Sequence, residues 1–91
     1  MSVTVRVPAQ LRNLTGGAGE LTVAPGTVRD VVKALEAEHA GFETRLLDDQ
    51  GSLRRFVNVF VADEDVRFLD GLDTDVADGQ TVSIVPAVAG G

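Results

Sequence analysis

The sequence predicts an α+β domain in which one main helix packs across a mixed sheet. Three observations carry this. Valines recur at every second position in residues 3–7 and again in 57–61, the period of a strand with one buried face. A single segment between them, from Val28 to Leu35, spaces its apolar residues as a helix does. Glycine, often preceded by Asp or Pro, punctuates the remainder.

In chain order, Val3, Val5 and Val7 alternate with Thr4 and Arg6 as a first strand, ended by Pro8. Leu11 and Leu14 fit a short helical turn, Gly16-Gly17-Ala18-Gly19 permits a reversal, and Leu21 and Val23 resume the alternation, so the opening reads as a hairpin with a long loop. Pro25-Gly26 breaks the strand. Thr27 is placed to cap a helix, with Asp30 three residues on near its positive end. Val28, Val31, Val32 and Leu35 form the apolar stripe, and Gly41 is a natural stop. Phe42, Leu46 and Leu47 give a short helical turn, and Asp48 to Ser52 a surface loop. The next strand runs from Phe56 to Ala62, with Val57, Val59 and Val61 inward and Phe56, Asn58 and Phe60 on the other face; Asp63-Glu64 turns the chain. Val66 and Phe68 predict a brief strand, Asp70-Gly71 and Asp78-Gly79 two turns, and Val82 and Ile84 a last strand ending at Pro86. Hairpin, helix and further strands in this order describe the β-grasp arrangement, with the first and last strands parallel in the centre. One domain, residues 1–86, is expected, followed by a flexible tail, 87–91.

Composition excludes several functions. With no cysteine, the chain has no thiol nucleophile, disulfide framework or zinc–thiolate site. His39 lacks a second histidine or a nucleophile, and Asp63-Glu64-Asp65 points its carboxylates apart on a turn, so no metal site is expected. A net charge of −6 and a single lysine, Lys33, argue against nucleic acid. The first thirty residues hold no apolar run fit for a signal peptide or membrane helix, which makes a cytoplasmic address the default expectation and no membrane partner is foreseen.

The chemistry concentrates in the tail. After Pro86 come Ala87-Val88-Ala89-Gly90-Gly91. Glycine usage near 7% puts two at a terminus in roughly 0.5% of chains, so it is their position just beyond a last strand that points to an activated tail. Glycines lacking Cβ can enter a narrow channel and leave the Gly91 carbonyl open to attack from either face. Activating that carboxylate takes ATP and Mg²⁺, and the chain has no phosphate-binding loop of its own: Gly16 to Gly19 lacks the Gly-Lys-Ser/Thr ending and precedes a strand. An activating partner is therefore required. Phe60 and Phe68 are candidate partner anchors, and Arg67, with Arg54-Arg55, is a candidate contact to an acidic rim.

The terminal Gly90-Gly91 on this pattern resembles the ubiquitin-like bacterial sulfur carriers, which include the small subunit of molybdopterin synthase and the thiamine-biosynthesis carrier. Phe56-Val57-Asn58, Glu64-Asp65-Val66-Arg67-Phe68, and Asp78-Gly79 through Ile84 to Pro86-Ala87-Val88-Ala89-Gly90-Gly91 resemble the cysteine-biosynthesis branch in actinobacteria, over nearly the whole chain. The resemblance implies a non-enzymatic carrier. Its Gly91 would be adenylated by an E1-like adenylating and sulfurtransferase enzyme and converted to a thiocarboxylate. It implies a pyridoxal-phosphate (PLP)-dependent cysteine synthase as acceptor, working on an aminoacrylate derived from phosphoserine, and a zinc metallopeptidase of the JAMM type to release the product. Those cofactors belong to the partners. Ala9-Gln10-Leu11-Arg12 also looks like the molybdopterin subunit, and the same tail would serve a protein modifier that forms isopeptide bonds.

Overall fold

A computed structural model describes residues 1–86. The chain runs β1 (Val3–Arg6), a 3-10 turn (Ala9–Leu14), β2 (Glu20–Val23), β3 (Gly26–Thr27), α1 (Val28–Glu38), α2 (Phe42–Leu46), β4 (Val57–Val61), β5 (Glu64–Asp65), 3-10 turns at Val66–Phe68 and Gly71–Asp73, β6 (Asp75–Val76) and β7 (Thr81–Pro86). The main sheet is ordered β2-β1-β7-β4-β5. β1 and β7 are parallel neighbours, with Val5 beside Val82, and both flanking pairs are antiparallel. This is the mixed sheet expected, with the first and last strands adjacent.

Period two in the strands and 3.6 in the helix assemble one core. Val3, Val5, Val57, Val59, Val61, Val82 and Ile84 from the sheet are buried with Val28, Val31, Val32 and Leu35 from α1 and Phe42 and Leu46 from α2. On the opposite sheet face Thr4, Asn58, Phe60 and Ser83 are half-buried, while Arg6 and Val85 are exposed.

Thr27 caps α1 in a full capping box: its hydroxyl accepts from the Asp30 N–H at 3.2 Å, and the Asp30 carboxylate accepts from the Thr27 N–H at 3.0 Å. The helix stops earlier than Gly41. His39 is already extended, although its N–H still reaches Leu35 C=O at 2.7 Å. Gly41, at φ 110°, instead opens α2, where the Glu36 carboxylate accepts from the N–H groups of Gly41 and Glu43 at 3.1 and 2.9 Å. A side chain of the first helix thus caps the second.

The brief strand expected at Val66 and Phe68 is a 3-10 turn. The Asp65 carboxylate accepts from the Arg67 N–H at 2.8 Å and the Leu69 N–H closes on Val66 C=O at 2.9 Å. A strand would send residues 66 and 68 to one face; the turn buries Val66 and leaves Phe68 86% exposed. The reversal before it centres on Ala62 and Asp63, at φ 51° and 73°, a two-residue hairpin loop, so Glu64 already belongs to β5 opposite Val61.

Two carboxylates link this architecture to pH. Asp30 is held below the usual aspartate value of 3.8 by the N–H and hydroxyl of Thr27. Asp48 is likewise lowered by the N–H groups of Ser52 and Gln50, at 3.1 and 2.9 Å. A depressed folded pKa gives stability that is complete above the unfolded value and is lost as pH falls through the folded one. The wild type is therefore expected to lose melting temperature below about pH 4 more steeply than an Asp30→Asn/Asp48→Asn variant. Thermal melts from pH 2 to 6 check this; parallel curves would refute it.

Candidate functional site

The tail residues expected to carry the function, Val88, Ala89, Gly90 and Gly91, lie outside the described residues. What the fold supplies is their root. Because β7 is flanked by β1 and β4, the chain emerges from the centre of the sheet at Pro86, which pairs with Val57 at the start of β4. Proline has no N–H to donate, which suits the last position of a strand.

Beside this point lies a groove of about 390 Å³ bounded by Arg45, Asp48, Arg54, Arg55, Phe56, Val57 and Pro86. Its parts come from separate elements. Arg45 sits in the last turn of α2, and Arg54 to Phe56 form the approach to β4. The Arg54 N–H donates to Leu46 C=O at 2.9 Å and its Nε to Thr44 C=O at 3.0 Å, which ties the approach segment to α2. The Arg55 guanidinium carbon lies 5.9 Å from the centre of the Phe56 ring, and Phe56 is 58% exposed.

None of the sequence-predicted anchors Phe60, Phe68 and Arg67 lines this groove. Phe60 occupies the outward face of β4, opposite Ser83 of β7 and Asp65 of β5, and is half-buried. Arg67 is exposed, but its guanidinium already has partners: Nη1 donates to the Asn58 amide oxygen and Nη2 to Arg54 C=O, both at 2.7 Å. It braces β4 against the segment that precedes it. Phe68 leaves the 3-10 turn into solvent, whereas Val66 beside it is fully buried. Phe56, Val85 and Arg45 were not singled out as candidates. The alternation Phe56-Asn58-Phe60 does signal the first of these; nothing local brings Arg45 to Arg54 and Arg55.

His39 is half-buried and packs edge-on to Phe42, with ring centres 6.4 Å apart. Among the described residues no three His, Asp or Glu side chains come together as metal ligands. No helix there is long and apolar enough to cross a membrane.

A β-grasp domain whose central last strand leads into a Gly-Gly tail defines the class of small ubiquitin-like proteins. The chain belongs to the ThiS family, whose profile matches residues 5–91. It is 50% identical over 93 residues to the sulfur carrier protein CysO of Mycobacterium tuberculosis, covering all of both chains. It superposes with TM-score 0.92 on a chain of the Amycolatopsis orientalis BexX/CysO complex, at 47% identity over 98% of this chain and 99% of that one. Small archaeal modifier protein 3 of Haloferax volcanii is 46% identical over 65 residues, 71% of this chain and 70% of the relative. The chain is thus a sulfur-carrier homologue, and the β-grasp expectation is borne out.

Proposed function

We propose that this protein carries sulfur as a thiocarboxylate on Gly91 and delivers it for cysteine biosynthesis. The observation that carries this reading is full-length identity of 50% to a sulfur carrier protein, with Gly90-Gly91 following the last strand. The chemistry is consistent with the residues present. A partner of the E1-like adenylating class joins the Gly91 carboxylate to the α-phosphate of ATP, with loss of pyrophosphate. Hydrosulfide then displaces AMP at the carbonyl, forming a C–S bond. The thiocarboxylate is ionised at neutral pH and is a sulfur nucleophile in a chain that has no cysteine. It attacks an electrophile held by a PLP-dependent cysteine synthase, the acyl group shifts from sulfur to nitrogen, and a zinc metallopeptidase of the JAMM type hydrolyses the new amide. ATP, Mg²⁺, PLP and zinc stay with those partners, and the carrier is their co-substrate. That a structural neighbour occurs in complex with a second protein, BexX, supports a role exercised through partners.

Intact mass of the protein isolated from its own cells tests this. The expected result is a fraction heavier by the difference between one sulfur and one oxygen. An unmodified chain under sulfur-replete growth, with no conjugates, would refute the carrier role. Gel-shifted conjugates that require Gly91 would favour the modifier reading, which the archaeal relative keeps in view.

A further inference from the structure

We propose that Arg45, Arg54 and Arg55, grouped at the root of the tail beside Phe56 and Pro86, form a basic docking collar for an acidic rim on the protein that receives the tail. The identity of that receiver rests on the carrier reading; the collar rests on the charge arrangement. The chain has 14 acidic and 8 basic side chains, so carboxylates are abundant enough to neutralise every arginine. Two arginines elsewhere do find one: Arg6 lies 3.7 Å from Glu20 and Arg29 lies 3.4 Å from Asp73. Among the described residues, Arg45, Arg54 and Arg55 have no carboxylate within ion-pairing distance; Arg12 and Arg67 have none either, but they lie outside this groove, each bonded to a backbone carbonyl. Within the lining of this groove the one carboxylate is Asp48, engaged with the N–H groups of Gln50 and Ser52, against three guanidiniums; Glu43 and Asp49 lie beyond Arg54, in an adjoining groove.

Two of the three guanidiniums are already oriented, Arg54 by Thr44 C=O and Arg55 by the Phe56 ring. Pre-oriented groups lose less freedom on association, and arginine around an exposed aromatic is the composition that protein interfaces favour. Guanidiniums gathered on one side of a negative protein also make it an electrical dipole. Approach to an acidic rim brings the tail end in first, and this steering raises the association rate in a salt-dependent way.

The test has two arms. In the first, the ¹⁵N-labelled protein is titrated with a deca-glutamate peptide at low ionic strength. The expected result is shifts confined to Arg45, Arg54, Arg55 and Phe56, lost with added salt and in Arg45→Glu/Arg55→Glu. Equal shifts at Arg6, Arg12 and Arg29 would overturn the collar. In the second, the adenylating enzyme of the same organism is assayed with the wild type, with this double variant, and with Arg6→Glu/Lys33→Glu, which reverses as much charge elsewhere. The collar predicts a KM raised on the order of tenfold with kcat held, converging with the wild type at high salt; an equal effect of the control pair would overturn it. A wild type that is not turned over at all would refute the carrier reading, with the peptide arm still deciding the collar.

Discussion

A chain lacking Gly91 is expected to melt where the full chain melts and to accept no sulfur. Among the described residues the core is built between Val3 and Ile84, and Gly91 has no side chain to add to it. Changes away from core, caps and special backbone positions move stability by no more than about 0.5 kcal/mol. Function is different, because reacting atoms must meet at about 3–3.5 Å. Removing one residue retracts an extended chain by roughly 3.3–3.6 Å, so under the proposed chemistry the new terminal carboxylate, on Gly90, would stop a full contact distance short of the phosphate it has to attack. Loss of adenylation is therefore expected to be complete, while a Gly91→Ala variant separates reach from width: it keeps the length and adds a methyl group the channel must accommodate. Mass analysis after incubation with the activating enzyme and ATP, beside a thermal melt, reads both halves. Residual loading of the shortened chain, or a lowered melting temperature, would show that reach is not the requirement or that the tail belongs to the fold.

The fold is legible in the sequence where a local signal is strong. Alternating valines place β1, β4 and β7, and Thr27 with Asp30 marks the start of α1 to the residue. The signals fail where structure depends on distant partners. Gly26–Thr27 and Asp75–Val76 pair as two-residue strands too short to show any period. At Val66–Phe68 the alternation imitates a strand, and the Asp65 side chain turns the chain instead. Arg67 is a candidate contact to an acidic rim on sequence grounds, and no local pattern shows that its guanidinium also spans Asn58 and Arg54. The groove at the tail root is invisible in sequence for the same reason: Arg45 stands nine positions from Arg54, and hydrogen bonds to Leu46 and Thr44 bring the two segments together.

Those hydrogen bonds tie the approach to β4 onto α2, and Phe42→Ala is expected to be the most damaging single change in the domain. A five-residue helix is far below the length at which helices persist alone. It is held by Phe42 and Leu46, one turn apart and both fully buried, and by the Glu36 carboxylate at its N-terminus. Phe42 is the largest fully buried side chain, and truncating a buried Phe to Ala typically costs about 3–5 kcal/mol. A domain this size holds about 5–15 kcal/mol in all, and each kcal/mol moves the midpoint by about 4–8 °C, so a fall of at least about 12 °C is expected. Phe42→Leu, which keeps most of the apolar volume, is expected to lose much less. Because α2 carries Arg45 and anchors Arg54, hydrogen exchange in Phe42→Ala is expected to rise first at residues 42–55, before the β1–β7 pair opens. Uniform acceleration across the sheet would instead mean that α2 and the sheet unfold as one unit, and that the surface at the tail root cannot loosen while the domain stays folded.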